Sequence, residues 1–162
     1  MPYIEVNLAQ QQLALRDDND ALLARYTIST AANGAGEQMH SECTPLGLHM
    51  IRAKIGAGCQ PGTVFVGRRP TGERYSPVLK QEHPDRDWIL TRIMWLSGLE
   101  PGRNRLGNVD TMRRYIYIHG APDEDIMGVP SSHGCIKMRD ADLIDLFGRV
   151  DTGTRVIIKQ DV

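Results

Sequence analysis

The segment "SSHGCIKM", residues 131–138, holds the most reactive combination of side chains in the sequence. A single cysteine is most often a small buried apolar residue, and Cys135 taken alone is open to that interpretation. However, His133 and Gly134 precede it directly. Main-chain N–H groups around Gly134 and Cys135 can converge on one point, as in the oxyanion hole of an acyl-transfer enzyme. A thiol in such a position acts as a nucleophile when an imidazole assists its deprotonation.

A second histidine, His119, precedes this segment in the stretch "RYIYIHG", residues 114–120. The stretch is dense in β-forming residues, so His119 is expected at the end of a strand, with Gly120 opening the next loop. A histidine in that place can reach a loop that follows a neighbouring strand. The alternative, a strand-end histidine with only a structural role, stays open at this point.

A metal site is the competing interpretation of the remaining His and Cys residues. His40, Cys43, His49 and Cys59 are separated by two, five and nine residues. These spacings match no compact zinc pattern, and a polar loop that carries such residues by chance is favoured. The turns "TGER" and "NGAG" lack the lysine and the Ser/Thr of a phosphate-binding loop. We therefore predict neither a metal nor another cofactor.

Many short strands are expected to position the reactive residues, because 16 glycines and 9 prolines interrupt runs of β-forming residues. The predicted strands are 3–8, 12–16, 21–30, 48–56, 64–69, 88–99, 114–120 and 155–159. Long polar loops are predicted at 31–47, 70–87 and 100–113. Loops of such length in a compact domain are often functional, and residues 31–45 and 70–87 are expected to border the cleft.

One convincing helix is predicted, over residues 140–150. Asp140 is a suitable N-cap and Gly148 a suitable end. The apolar stripe between them consists of Leu143, Ile144, Leu146 and Phe147. The resulting architecture is mainly β, a sandwich or partly closed barrel with one or two short helices.

The overall composition is that of one soluble domain, residues 1–162. The net charge is −1, with 41% hydrophobic and 24% charged residues. Because the charges of both signs are scattered, we predict no nucleic-acid partner. No apolar run approaches the ~20 residues that span a bilayer, so we predict no membrane partner. Nothing in the sequence indicates the oligomeric state.

The cysteines and the first residues suggest a compartment. Three cysteines, at 43, 59 and 135, are an odd number that does not form a disulfide framework, and free thiols suit a reducing environment. The opening "MPYIEVNLAQ" has the character of strands, without a basic segment leading into an apolar one. These features predict a cytoplasmic protein, or a periplasmic one if a leader has been removed.

The pair "IHG" and "SSHGCIKM" resembles the active-site signature of the L,D-transpeptidase (YkuD) catalytic domain family. Twelve residues separate His119 from Ser132, within the spacing of that signature. The resemblance extends over most of the chain, since "IEVNLAQQQLAL", "TPLGLHMI" and "GTRVIIK" are similar to the opening strand pair, an internal strand and the closing strand of the family. It implies a YkuD-like β fold over residues 1–162.

The resemblance also implies roles for individual residues. Cys135 corresponds to the nucleophile, His119 to the general base, and the Gly120 carbonyl to the group that orients His119. The segment His133, Gly134 and Cys135 corresponds to the oxyanion hole, and Ser132 to a support of that turn. Position 137 is lysine where arginine or asparagine is usual, so the charge survives but the bidentate fork of arginine does not. Lys137 is the candidate for binding a substrate carboxylate.

The substrate implied by the resemblance is a peptidoglycan stem peptide, either wall-bound or as a soluble muropeptide. The attacked bond joins the third residue, usually diaminopimelate, to a terminal D-alanine. With a cytoplasmic location, water is the expected acceptor, which favours an L,D-carboxypeptidase that trims tetrapeptides during murein recycling. Two alternatives remain: an L,D-transpeptidase that forms cross-links, and a non-catalytic domain that binds wall fragments. A covalent carbapenem adduct at Cys135 is also implied.

Overall fold

The computed structural model describes residues 1–161. These residues form ten strands, two α-helices and one 3-10 helix at Gly107–Val109. The helices are α1 (Pro77–Glu82) and α2 (Asp140–Arg149). The strands are β1 (Tyr3–Asn7), β2 (Gln12–Arg16), β3 (Leu22–Ser29), β4 (Gly47–Ile55), β5 (Thr63–Val66), β6 (Arg69–Arg74), β7 (Ile89–Gly98), β8 (Tyr117–Gly120), β9 (Ile136–Met138) and β10 (Arg155–Lys159).

The strands form one sheet that closes on itself. Their order is β4-β10-β1-β2-β3-β9-β8-β7-β5-β6, and β4 also pairs with β7. This pairing closes a barrel of eight strands, from β4 through β10 and on to β7, while β5 and β6 extend from β7 as a hairpin. The mainly β class with two short helices is confirmed, and the barrel is closed rather than partly closed. Closure removes the two exposed sheet edges that an open sheet would leave.

The barrel interior is filled by the inward-facing residues of alternating strands. Ile4 and Val6 of β1 are fully buried, and they lie opposite Val156 and Ile158 of the parallel strand β10. Helix α2 adds Leu143, Leu146 and Phe147 to the same core. Each such side chain contributes about 1.5–3 kcal/mol on burial. Because α2 packs against β7 and β8, it fixes the strand that ends at His119 and Gly120.

Helix α2 begins one residue earlier than its predicted cap implies. Asp140 is the first helical residue, and Arg139 stands at the N-cap without a side-chain hydrogen bond. Asp140 in the first turn still interacts favourably with the helix dipole. Gly148 does not end the helix, which continues to Arg149. The ammonium group of Lys54 donates to the carbonyls of Phe147 and Val150 at the helix end, at 2.7 Å each. No helix within residues 1–161 has the length and apolar character needed to cross a bilayer.

The segment 70–87 was predicted as a loop, and this prediction is wrong. It contains most of β6 and all of α1, which begins with the side chain of Ser76 accepting a hydrogen bond from the Leu79 N–H at 3.1 Å. Strand β6 is exposed along nearly its whole length, so its sequence lacks the alternation that reveals a half-buried strand. The strand predicted at 114–120 is also shorter, since Tyr115 has a φ of +56° and regular pairing begins at Tyr117.

Candidate active site

The predicted reactive residues lie side by side on β8 and β9, two neighbouring parallel strands. In their register His119 is opposite Lys137, and Ile118 is opposite Ile136. Because side chains alternate along a strand, His119 and Lys137 share the face that Cys135 also occupies, away from the barrel core. This face borders a cavity of about 350 Å³. The lining residues are Gly67, Arg68, Asp87, Ile89, Arg114, Tyr115, Ile116, Tyr117, His119, Ser132, His133, Cys135 and Lys137.

The sulfur of Cys135 is held by the main chain of two tyrosines. It accepts a hydrogen bond from the Tyr117 N–H at 3.3 Å, and its thiol donates to the Tyr115 carbonyl at 3.4 Å. Burial raises the pKa of Cys135 to about 12, although the positive charges of Arg114 and Lys137 act in the opposite direction. The resting group is therefore a thiol, which needs a base to attack a carbonyl at neutral pH.

The imidazole of His119 is buried and oriented by its own backbone neighbour. Its Nδ1 lies 2.6 Å from the Gly120 carbonyl oxygen. A carbonyl only accepts, so Nδ1 carries the hydrogen and Nε2 keeps its lone pair. Burial lowers the pKa of His119, which keeps the ring neutral. The structure thus places a neutral imidazole with a free basic nitrogen beside the cavity, and places the Gly120 carbonyl in its predicted orienting position.

His119 and Cys135 share one cavity but are not hydrogen bonded to each other among residues 1–161. The thiol hydrogen is directed to the Tyr115 carbonyl instead. Catalytic hydrogen bonds often tighten only when substrate binds. That His119 accepts the proton of Cys135 therefore stays a prediction.

Gly120 is a glycine for a steric reason. A Cβ there would collide with the carboxylate of Asp140 and lie 2.8 Å from the Leu90 carbonyl oxygen. Any larger residue would push the chain away from β7 and displace the carbonyl that orients His119. The close approach of β7, β8 and the start of α2 is therefore part of how the fold positions its base.

The turn before Cys135 is held by Ser132. The Ser132 hydroxyl donates to the Cys135 carbonyl at 2.6 Å and accepts from the Gly134 N–H at 3.2 Å. Gly134 has a φ of +128°, and a Cβ there would lie 3.0 Å from the Ile116 side chain. The hydroxyl of Thr44, in the predicted loop, fixes the turn from the other side by donating to the Gly134 carbonyl at 2.9 Å. Ser132 thus has the supporting position expected of it.

The three predicted oxyanion-hole donors are not equivalent. The N–H of Gly134 donates to the Ser132 hydroxyl, so a contact with an oxyanion would require this bond to be exchanged, and its role in the oxyanion hole stays a prediction. The N–H groups of His133 and Cys135 donate no hydrogen bond within the part of the chain that the structure describes. They remain available to an oxyanion. The imidazole of His133 is exposed at the edge of the cavity. The group of this residue that can stabilise an oxyanion is therefore its main-chain N–H.

Lys137 lines the cavity but its charge is neutralised. The side chain is only 11% exposed, and its ammonium group lies 2.8 Å from the carboxylate of Asp125. Such an ion pair competes with any substrate carboxylate for the same ammonium group. Binding of a substrate carboxylate by Lys137 stays a prediction, and its ionic partner Asp125 lies in the loop that joins β8 to β9.

Two other basic residues, Arg68 and Arg114, line the same cavity. Arg114 donates to the carbonyls of Gly36 and Cys43 at 3.2 and 2.6 Å, so it holds the loop 31–47 against the site. Arg68 reaches the cavity from the tip of the β5–β6 hairpin. Its position depends on a hairpin far upstream of Cys135, for which sequence spacing gives no signal.

The four residues considered as metal ligands do not form a site. Within residues 1–161, no three His, Cys, Asp or Glu side chains are grouped so as to hold a metal ion. His49 is fully buried in β4, where its ring nitrogens lie 3.1 Å from the Gly47 carbonyl oxygen and 3.0 Å from the Thr111 hydroxyl. Burial lowers the pKa of His49 to about 4. Its contacts are those of a neutral structural histidine.

The buried His49 predicts acid sensitivity of the fold. An unfolded histidine titrates near pH 6.5, so between about pH 6.5 and 4 the unfolded chain binds a proton that the folded chain does not. The free energy of unfolding should fall by about 3 kcal/mol over this window on account of His49. Urea unfolding of wild type and His49→Gln at pH 7 and pH 4 measures the difference. Equal losses in both proteins would contradict this assignment.

A thiol nucleophile, a neutral imidazole and free main-chain donors on a closed β-barrel define a site for acyl transfer through a thioester. The sequence matches the family model of the L,D-transpeptidase catalytic domain over residues 1–158. The chain therefore belongs to the L,D-transpeptidase (YkuD) catalytic domain family. A search of curated protein sequences finds no significant match.

Solved structures with a similar fold are also L,D-transpeptidases. A cysteine-to-serine variant of the Enterococcus faecium enzyme has a TM-score of 0.58 and 19% identity, and the match covers 98% of this chain and 49% of that chain. L,D-transpeptidase 3 from Mycobacterium tuberculosis, in complex with a faropenem-derived adduct, has a TM-score of 0.61, 16% identity and coverages of 99% and 60%.

The catalytic domain alone gives a fuller match in length. For the E. faecium catalytic domain acylated by ertapenem, the TM-score is 0.55, the identity 19%, and the match covers 98% of this chain and 96% of that domain. At these identities the similarity establishes the fold. The chain spans about half of the length of the longer E. faecium structure.

Proposed function

We propose that this protein is a cysteine L,D-carboxypeptidase that removes the terminal D-alanine from peptidoglycan stem tetrapeptides. Membership of the L,D-transpeptidase family supports the substrate class, since that family's name denotes transfer at an L,D bond. The arrangement of Cys135, His119 and the turn 132–135 supports the chemistry. The bond broken is the amide between the third residue, diaminopimelate, and D-alanine.

The reaction proceeds through a thioester. As the Cys135 sulfur attacks the carbonyl carbon of the third residue, its proton passes to Nε2 of His119, and the N–H groups of His133 and Cys135 stabilise the oxyanion. The carbon–nitrogen bond then breaks, and His119 returns the proton to the departing amine of D-alanine. A water molecule, deprotonated by His119, attacks the thioester. The products are a tripeptide with a new carboxylate and the free thiol.

The small volume of the cavity is the observation that favours water over a second stem peptide as the acceptor. Its volume of about 350 Å³ lies near the lower end of the range of ligand pockets, about 300–1,000 Å³. This space suits the end of one stem peptide. A second stem peptide would need a further groove beside Cys135, whereas a water molecule needs only about 30 Å³.

Product analysis tests this proposal. The purified protein is incubated with a diaminopimelate tetrapeptide, with and without a second stem peptide that offers a free amine, and the products are identified by mass. We expect tripeptide and D-alanine in both incubations. A cross-linked dimer as the main product would overturn the carboxypeptidase proposal in favour of transpeptidation.

Formation of cross-links is the second candidate function. It is favoured by the solved structures of similar fold, which are L,D-transpeptidases from E. faecium and mycobacteria. The two candidates share Cys135, His119 and the thioester, and they differ only in the acceptor that reaches the thioester.

Free thiols support a reducing location for this activity. Cys43, Cys59 and Cys135 are all unpaired in the structure. Free cysteines are typical of proteins in the reducing cytosol. We therefore propose that the substrates are soluble muropeptides of the cytoplasm rather than the assembled wall. Fractionation of cells that express the native protein tests this, and recovery with periplasmic markers would contradict it.

A carbapenem is expected to acylate Cys135. The opened β-lactam ring would place its carbonyl on the sulfur as a thioester, as the similar catalytic domain acylated by ertapenem suggests. Intact-mass measurement should show an increase of one carbapenem mass on the wild type. The same treatment should leave Cys135→Ala unchanged, and an equal adduct on that variant would show that another residue reacts.

A further inference from the structure

We propose that Arg68 binds the carboxylate of the terminal D-amino acid of the substrate and thereby restricts cleavage to stems with a free carboxylate next to the scissile bond. This proposal rests on the proposed function and assigns the residue that selects its substrate. From sequence spacing, only Lys137 is predicted as the carboxylate ligand.

Arg68 occupies an unfavourable backbone conformation at the tip of a hairpin. Gly67 and Arg68 form the two-residue turn between β5 and β6, with φ angles of +56° and +64°. Turns of this kind favour Asn-Gly, because side chains other than those of Gly, Asn and Asp are disfavoured at positive φ. The arginine side chain is directed to the cavity that Cys135 lines.

The guanidinium group of Arg68 is held in a defined place by three aromatic residues. Its central carbon lies 4.8 Å from the ring centroid of Trp95 and 4.9 Å from that of Tyr115. One of its nitrogens donates to the Tyr117 hydroxyl at 3.1 Å. Contact with aromatic faces and a hydrogen bond fix the planar group before substrate arrives, which lowers the entropic cost of binding.

The same tyrosines hold the nucleophile. The Tyr117 N–H and the Tyr115 carbonyl contact the Cys135 sulfur at 3.3 and 3.4 Å, while their side chains contact Arg68. Tyr117 thus contacts the sulfur with its main chain and the guanidinium group with its hydroxyl, and both groups line the same cavity. In the leaving D-amino acid, the carboxylate is joined to the scissile nitrogen through a single carbon. A carboxylate so close to the reacting carbonyl is within the reach of this arrangement.

Arg68 is the cation of the cavity whose N–H groups remain free to bind a ligand. The charged residues that line it are Arg68, Arg114, Lys137 and Asp87, an excess of positive charge that favours an anionic ligand. Lys137 is paired with Asp125, and Arg114 is bonded to main-chain carbonyls. Within residues 1–161 Arg68 has no carboxylate partner and donates one hydrogen bond. Since a guanidinium has five N–H donors, a bidentate contact with a carboxylate remains open.

A comparison of two substrates tests the assignment. The tetrapeptide and the same peptide with a C-terminal amide are supplied to wild type, Arg68→Gln and Arg69→Gln, which removes an exposed positive charge from the same hairpin. For the wild type, kcat/KM should be about 10- to 100-fold lower on the amide. Arg68→Gln should lose this preference by falling to a similar level on the free acid, whereas Arg69→Gln should keep it. An undiminished preference for the acid in Arg68→Gln would overturn the proposal.

A binding measurement separates this inference from the proposed reaction. In a Cys135→Ala background, calorimetry measures the Kd of the tetrapeptide with and without Arg68→Gln. We expect Kd to rise about 10- to 100-fold when Arg68 is replaced. Equal Kd values would overturn the role of Arg68 whatever the wild type catalyses. Absence of turnover by the wild type, by contrast, would count only against the proposed hydrolysis.

Discussion

Replacement of Cys135 by alanine is expected to lower the turnover of a diaminopimelate tetrapeptide by at least about 10⁴-fold, because no other group can form the thioester. The fold should survive the change. Cys135 packs at the edge of a small apolar cluster, so the loss of its sulfur removes little buried surface. The measurement is release of D-alanine under saturating substrate, together with the thermal midpoint of both proteins.

The other two cysteines provide matched controls for this variant. Cys43 and Cys59 are free and partly buried like Cys135. Cys59→Ala should retain near wild-type turnover, because Cys59 packs in the same apolar cluster but does not line the cavity. Substantial turnover by Cys135→Ala would show that the thiol is not the nucleophile, and the thioester mechanism would then be untenable.

Replacement of His119 by glutamine is expected to lower kcat/KM by about 10²–10⁴-fold, the usual contribution of a general base. Glutamine can still donate to the Gly120 carbonyl, so the variant removes the basic nitrogen and keeps a comparable hydrogen bond. Retention of full activity would show that the proton of Cys135 leaves by another route.

The pH dependence distinguishes proton transfer to His119 from attack by a preformed thiolate. Burial lowers the pKa of His119, so the neutral base persists as pH falls and wild-type activity should extend below pH 6.5. Burial also raises the pKa of Cys135 to about 12, so the thiolate is a minor species at neutral pH. In His119→Gln the rate should therefore rise about tenfold per pH unit between pH 7 and 10. A flat profile for this variant would indicate a thiolate already present at neutral pH.

The reactive residues could be predicted because the chemistry is local in the sequence. The turn that holds Cys135 is built by Ser132 and Gly134, which are its near neighbours. The orientation of His119 depends on the residue that follows it. A short segment therefore contains most of the contacts that define each reactive group, and the resemblance to a family rests on these same segments.

The remaining features depend on contacts between distant segments. Closure of the barrel requires β4 to pair with β7, and nothing in either strand alone distinguishes a closed barrel from a sandwich. The use of the Gly134 N–H by Ser132 and the pairing of Lys137 with Asp125 are properties of the folded chain. Arg68 falls within the predicted strand 64–69, whereas in the structure it lies in the turn between β5 and β6, where the aromatic side chains of β7 and of the segment before β8 hold it at the cavity.

The central claim is that water hydrolyses a thioester on Cys135, and turnover in ¹⁸O-labelled water tests it most directly. The protein is incubated with a diaminopimelate tetrapeptide and an excess of a second stem peptide in H₂¹⁸O, and the masses of the products are measured. The mechanism predicts a tripeptide with one ¹⁸O atom in the new carboxylate of its third residue, formed by the wild type and not by Cys135→Ala. A main product in which the amine of the second stem has replaced D-alanine, without ¹⁸O, would contradict it.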